Sequence, residues 1–183
     1  MTVHETDLRG VLLLAPKTFA DSRGFFFESY NFERYRDAGV LPVFIQDNVS
    51  YSGPGVIRGL HYQFPNSQAK LIQVLEGAVL DVVVDIRRGS PTFGRWISKE
   101  LSSENHHQLY IPEGFAHGFE VVGAHALVSY KCSSPYNPAT EGTIRWDDPA
   151  VGIKWRSPDP IVSEKDRAGI TLADMPESRL PLY

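Results

Sequence analysis

Short apolar runs broken by glycine and proline dominate the chain, and long helical periodicity is almost absent. Val11 to Leu14 is a brief apolar run closed by Pro16. Phe25 to Tyr30 alternates, with Phe25, Phe27 and Ser29 on one face of an extended chain and Phe26, Glu28 and Tyr30 on the other. That spacing predicts one face filling a core while the other carries Glu28 toward a ligand. Phe44 to Ser50, Val56 to Tyr62 and Ala69 to Leu75 extend the series, a break is expected at Gly77, and Ala78 to Ile86, Thr92 to Leu101, Gln108 to Ile111 and Ala126 to Cys132 follow. In Ala78 to Ile86 the residues Leu80, Val82, Val84 and Ile86 share one face. Val79, Asp81, Val83 and Asp85 share the other, where the two aspartates read as hydrogen-bonded or solvated sheet residues.

Only two helices are expected. Asn31 to Ala38 has Asn31 as N-cap and Gly39 as a C-terminal stop, and Ser163 to Asp166 opens a second, shorter one. Strands at short intervals, turned by glycine and proline and without βαβ alternation, predict an all-β antiparallel sandwich or barrel. No repeat, low-complexity tract or boundary divides residues 1–183, so a single domain is expected. The tail beyond Pro135 is rich in proline and aspartate, yet Trp146, Ile153 and Trp155 are too apolar for a free linker and should pack on the barrel.

Charge narrows the partners. Eighteen basic against 22 acidic residues leave a net charge of −4, which argues against a nucleic-acid-binding face. No apolar stretch approaches a membrane span, and the N-terminus lacks a basic segment followed by an apolar run, so a soluble cytoplasmic protein is expected. Cys132 is the only cysteine; it excludes an intrachain disulfide and reads as a small buried strand residue.

The candidate chemistry is concentrated between Arg58 and Lys70. With a turn at Pro65-Asn66-Ser67, His61 and Lys70 are expected near each other across a hairpin. An imidazole takes a proton near neutrality and a fixed ammonium stabilises an oxyanion, a pair suited to proton abstraction beside a carbonyl. A satisfied strand histidine and a solvated edge lysine account for the same two residues, and the residues alone leave both readings open. Gln46 and Asn48 share a strand face and present two amides together.

Pro112-Glu113-Gly114-Phe115-Ala116-His117 resembles the second motif of the cupins, jelly-roll barrels in which that histidine often ligates a metal. The first cupin motif supplies two histidines and a carboxylate. Here the matching run is His61-Tyr62-Gln63, with Lys70 where the carboxylate is wanted, so a divalent cation would meet an ammonium. No metal and no other cofactor are expected.

Six motifs in order resemble one cupin family: Phe-Phe-Phe-Glu-Ser-Tyr (25 to 30), Gln-Asp-Asn (46 to 48), Arg-Gly-Leu-His-Tyr-Gln (58 to 63), Asp-Ile-Arg-Arg-Gly-Ser-Pro-Thr-Phe-Gly (85 to 94), Ile-Pro-Glu-Gly-Phe-Ala-His-Gly-Phe (111 to 119) and Ser-Glu-Lys-Asp (163 to 166). The family is the dTDP-4-dehydrorhamnose 3,5-epimerases. The resemblance implies a metal-free jelly-roll homodimer that inverts carbons 3 and 5 of dTDP-4-dehydro-6-deoxy-D-glucose on the way to dTDP-L-rhamnose. It makes His61 the base, Asp166 its carboxylate partner, Lys70 the group facing the carbon-4 oxygen and Tyr130 the acid on the opposite face. It sets Arg23, Glu28, Gln46, Asn48, Arg58, His117, Glu141 and Lys165 along the nucleotide or sugar. Arg23 and Arg58 offer forked donors to a diphosphate, and the aromatic surface around Phe26 suits a thymine ring. Tyr136, close to Tyr130 in sequence, is expected near the same sugar, with its role open. Two alternatives accompany this reading: an epimerase acting at carbon 3 or carbon 5 alone, and a non-catalytic cupin that binds a nucleotide sugar. Retention of His61, Lys70, Tyr130 and Asp166 argues against the second, since a pure binder needs no acid and base pair.

Overall fold

The structure, a computed structural model, describes residues 1–183. Two long antiparallel strands, β7 (Lys70–Asp85) and β10 (Phe115–Cys132), pair along most of their length and form the spine. At one end β8 (Trp96–Ser102) joins β7, and β6 (Val56–Gln63) joins β10, followed outward by β11 (Glu141–Thr143). At the other end β9 (Gln108–Ile111), β2 (Leu12–Ala15) and β1 (Thr2–Glu5) extend the β7 side, while β5 (Gln46–Ser52) borders β10. A short strand β12 (Ile161–Val162) runs parallel to β6, and β3 (Phe19–Asp21) with β4 (Gly24–Phe26) forms a separate hairpin. The result is the expected all-β cupin-type jelly roll.

The alternation in β7 does what its spacing requires. Leu80, Val82, Val84 and Ile86 pack with Leu60, Ala116 and Ile144, while Val79 and Val83 face the larger core of Ile72, Leu109, Phe119 and Val128. Asp81 and Asp85 are fully buried on this second side. Asp85 accepts hydrogen bonds from Arg87, Ser90 and Thr92, which answers how a carboxylate is tolerated there. The tail packs as expected, with Ile153 and Trp155 against the Leu80 cluster.

Both helices are present. α1 (Phe32–Asp37) begins at Asn31, whose side chain accepts from the Arg34 N–H, and α2 (Glu164–Arg167) begins at Ser163, whose hydroxyl accepts from the Asp166 N–H.

Four expectations change. Gly77 does not break its strand; at φ 77° it bends a continuous β7 opposite the irregularity between Val121 and Ala126, and a Cβ there would collide with the His125 carbonyl oxygen. The strand after the Gly89 turn begins only at Trp96, because Ser90 and Thr92 spend their hydroxyls on Asp85. Strands β6 and β7 are not hairpin partners, since β10 lies between them. A run as apolar as β7 takes a central position with neighbours on both sides. Finally, Phe25 to Tyr30 does not bury one whole face: only Gly24–Phe26 is strand, Phe25 and Phe26 are 60% and 68% exposed, and of the segment only Tyr30 packs against a core cluster, that of Leu14 and Tyr35. Within the chain Phe25 meets the His106 ring and Phe19 the Lys17 ammonium, which leaves the hairpin more than half exposed.

Candidate active site

β5, β6, β7 and β10 together wall two adjoining hollows of about 220 and 260 Å³ that share His61, Lys70, Tyr130, Tyr136 and Glu141. One extends to Gln46 and Asn48, the other to Arg58, His117 and Lys165. Ten of the sequence-predicted site residues therefore line one cleft. Asp166 lies directly behind it.

His61 comes from β6 and Asp166 from the first turn of α2, 105 residues later, with Nε2 2.6 Å from Oδ1. Asp166 Oδ2 accepts from the Gly59 N–H at 3.2 Å, and the residue is 3% exposed. Burial alone would raise this carboxyl, but the His61 bond and the Gly59 and Ser163 contacts outweigh it and hold it below the ordinary range. The carboxylate thus occupies Nε2 and leaves Nδ1 as the available nitrogen of His61.

Lys70 stands directly across from Cys132 in the β7–β10 ladder, two positions from the Ile72–Tyr130 pair. Burial pushes its ammonium below the ordinary lysine value, only partly offset by Cys132, Asp81 and Glu141. Tyr130 moves the other way: burial raises its phenol, Cys132 and Glu141 add to this, and Arg58 opposes it. Lys70 and Tyr130 are therefore groups of one cleft with opposite displacements.

The rim is a polar frame. Lys165 Nζ and Tyr136 Oη both donate to Glu141 Oε2, which keeps that carboxyl low despite its burial. Gln46 donates to Asn48 at 3.0 Å and accepts from the Tyr136 N–H at 2.9 Å, and Asn48 donates to Cys132 Sγ. Arg58 donates from Nε to Ser52 Oγ at 2.9 Å and from Nη2 to the Tyr51 carbonyl at 3.1 Å, which fixes the direction of its guanidinium. His117 meets both oxygens of Asp81 through Nε2 at 2.9 Å.

Gln63, at a cupin metal-ligand position, is instead a loop clamp: it donates to the Asn66 and Pro135 carbonyls and accepts from the Asn137 N–H. No group of three or more His, Cys, Asp or Glu side chains is placed to hold a metal ion, and no helix is long and apolar enough to cross a membrane.

Three predicted residues do not reach the cleft. Arg23 pairs with Asp21 on the exposed hairpin at 2.6 Å, Phe26 projects from the same hairpin, and Glu28 pairs with Arg34 at 3.1 Å. Conversely, Ser50, Gln68 and Cys132 line the cleft and were not singled out as ligands. Ser50 was findable, being the next inward position after Gln46 and Asn48 on β5. Gln68 carries no comparable signal.

Residues 5–174 match the family model of dTDP-4-dehydrorhamnose 3,5-epimerase. Among curated relatives, a dTDP-4-dehydrorhamnose 3,5-epimerase of Pseudomonas aeruginosa is 51% identical over 166 residues, covering 90% of this chain and 92% of that protein. One of Neisseria gonorrhoeae is 49% identical over 181 residues, covering 98% of this chain but 55% of the relative, so this chain spans about half its length. Among solved structures, a dTDP-6-deoxy-D-glucose-3,5-epimerase of Legionella pneumophila in complex with dTDP-4-keto-L-rhamnose superposes with a TM-score of 0.97 at 44% identity, covering 100% of this chain and 98% of that one.

Proposed function

The chain belongs to the dTDP-4-dehydrorhamnose 3,5-epimerase family, and from that membership we propose that it inverts carbons 3 and 5 of dTDP-4-dehydro-6-deoxy-D-glucose, giving dTDP-4-dehydro-L-rhamnose. The observation that carries this reading onto particular residues is the His61–Asp166 pair, 2.6 Å apart, opening on a cleft that also holds Lys70 and Tyr130.

The chemistry follows from their states. The carbon beside the 4-keto group gives its proton to His61 Nδ1; the C–H electron pair moves into the ring and onto the carbonyl oxygen as an enolate. Lys70, as ammonium, faces that oxygen and stabilises the charge in a water-poor site. Asp166 stays ionised and steadies the imidazolium that forms. Tyr130 then gives its phenolic proton to the opposite face of the carbon, and the phenolate and imidazolium return to their starting states by proton exchange through solvent. Two groups are needed because one base would mostly return the proton to the face it left. Repetition at the second carbon completes the reaction. Arg58 and Lys165 supply donors for the diphosphate, and Gln46, Asn48, Tyr136 and Glu141 bound the rest of the ligand.

Incubating the substrate with the protein in heavy water and reading the sugar by proton NMR tests this directly. Deuterium is expected at carbons 3 and 5; incorporation at a single carbon would reduce the activity to that of a one-centre epimerase.

The alkaline side of kcat/KM should belong to Lys70. Both the ammonium and the phenol must be protonated; burial moves loss of the Lys70 proton to lower pH and loss of the Tyr130 proton to higher pH. Activity is expected to decline below the ordinary lysine value of 10.5. The residual exchange of a Tyr130→Phe variant should keep the same alkaline limb, and its disappearance there would reassign the limb to the phenol.

A homodimer accounts for the three residues that miss the cleft. The hairpin exposes Phe19, Phe25 and Phe26, and the outer face of β5 exposes Val49 and Tyr51, all more than half accessible. An apolar surface of this kind on two elements suits a second copy, with the hairpin of one chain carrying Arg23, Phe26 and Glu28 to the cleft of the other. Light scattering should return about twice the 20.5 kDa chain mass. Phe25→Asp combined with Phe26→Asp should give a monomer with weakened dTDP binding; a wild-type monomer at micromolar concentration would defeat the arrangement.

A further inference from the structure

Arg179 closes a single turn of 3-10 helix (Glu177–Arg179), outside the cleft and beyond residues 5–174 that match the family model. The mechanism above gives it no task. Its Nη2 donates to the main-chain carbonyl of Glu141 at 2.6 Å, 38 residues back in the chain. Burial raises the Tyr62 phenol, and the Arg179 guanidinium beside it opposes that shift, while Arg179 Nε is buried without a hydrogen-bond partner. Holding a long side chain in one half-buried place costs conformational entropy, and the contact that offsets this cost is with β11.

β11 is a strand that needs support. It has 3 residues, ends the sheet and has β6 as its only strand neighbour. Its middle residue, Gly142, lies against the Tyr62 ring so closely that a Cβ would collide with it. The Glu141 side chain meanwhile receives both Tyr136 Oη and Lys165 Nζ on one oxygen. The tail that presents Arg179 is itself anchored on either side of it. Met175 and Leu180 are buried in the Leu80 cluster, and the Arg88 main chain donates to the Pro181 carbonyl and accepts from the Tyr183 N–H. The Arg88 guanidinium also donates to Glu177 at 2.6 Å. A continuous set of contacts thus runs from the tail, through the Glu141 carbonyl, to two groups on the rim of the cleft.

We propose that Arg179 is a positioning residue for substrate binding: it fixes the Glu141 main chain and, through the Glu141 side chain, sets where Tyr136 and Lys165 stand. This rests on the epimerase reading above, which gives the rim its ligand. The effect falls on binding and not on the chemical step. His61 is oriented by Asp166, which the Gly59 N–H holds, and Lys70 and Tyr130 project from β7 and β10. None of these groups hydrogen-bonds to Arg179, whose side chain donates only to the Glu141 carbonyl.

The experiment is steady-state kinetics on dTDP-4-dehydro-6-deoxy-D-glucose at one pH. Arg179→Met keeps the aliphatic stem and removes the donors, so KM should rise roughly five- to tenfold, the scale of one hydrogen bond from a charged group, while kcat stays within about twofold. Arg179→Lys restores a donor and should return KM to within about twofold of wild type. In a Glu141→Ala background, Arg179→Met should add less than about twofold to KM, because the side chain it acts through is gone. A merely structural arginine would lower the folded fraction, and so kcat, with KM unchanged; that pattern overturns the proposal. So do a lysine variant no better than methionine and full additivity with Glu141→Ala. Should the methionine variant not fold, Arg179→Gln, too short to reach the carbonyl, carries the same comparison with lysine. Wild-type protein that leaves this substrate unchanged would instead sink the epimerase reading itself, and this inference with it.

Discussion

Replacing His61 with alanine should stop proton exchange at both carbons, with kcat/KM falling by roughly 100- to 10,000-fold or more, about 3 to 5.5 kcal/mol of transition-state stabilisation. The size follows from the lack of a substitute. Lys70 is a cation in the state that supports the enolate and cannot also accept the proton, Tyr130 is protonated, Glu141 is held by Lys165 and Tyr136, and His117 turns its Nε2 to Asp81. No other free base faces the cleft. The loss should be chemical rather than structural, because Asp166 keeps the Gly59 N–H after the imidazole is gone. Heavy-water NMR reads the exchange and dTDP titration checks the binding. Deuterium entering the sugar at near wild-type rate in the alanine variant would assign the base elsewhere.

That base was visible in the sequence only as a residue type in a strand. The run around His61 has strand spacing, and its family motif points to a role, but the partner that orients the imidazole is 105 residues away on a four-residue helix. Periodicity carries no information at that range. The capping serine before α2 was legible, since Ser163 precedes an acidic first turn, and capping is local chemistry. Most of the strands were legible for the same reason, down to the two faces of Ala78 to Ile86, but the strand expected from Ala126 to Cys132 begins at Phe115. What periodicity misjudges is connectivity and cover: the alternation in Phe25 to Tyr30 predicts one buried face, while Phe25 and Phe26 remain more than half exposed. An alternating pattern records that one face is more apolar than the other, not what lies against it. The same limit applies to His61 and Lys70, which share a cleft as expected but with β10 interposed.

The site's polar groups differ in how firmly they are held, and the difference follows the proposed division of labour. Gln63, Gln46 and Glu141 each bind a loop or a second side chain, so they shape the cleft before any ligand arrives. Lys70 and Tyr130 have no side-chain hydrogen bond in the chain, and burial disfavours the charged form of each. A group left without a partner in a half-buried cleft is free to direct its full hydrogen-bonding capacity at the substrate, and this is what an oxyanion stabiliser and a proton donor require.

Tyr130→Phe should separate proton removal from inversion. The phenylalanine keeps the ring that packs against the core beside Val128 and Ile72, so the fold and the cleft walls should survive. His61, Asp166 and Lys70 remain, and the enolate can still form. Without the phenol the only nearby donor is the imidazolium on the original face, and His61 exchanges its proton with solvent before returning it. In heavy water the variant should therefore place deuterium at the reacting carbon with retained configuration, while conversion to the inverted sugar falls by roughly 100- to 10,000-fold. Proton NMR distinguishes the two outcomes in one sample, through loss of the carbon-bound proton signal and the ring couplings that report configuration. The raised phenol makes this the informative substitution, because a group that stays protonated across the working range acts as a donor and not as a second base. If a folded, dTDP-binding Tyr130→Phe protein lost exchange as completely as His61→Ala, the phenol would belong to the proton-removal step and the assignment of one residue to each face would be wrong.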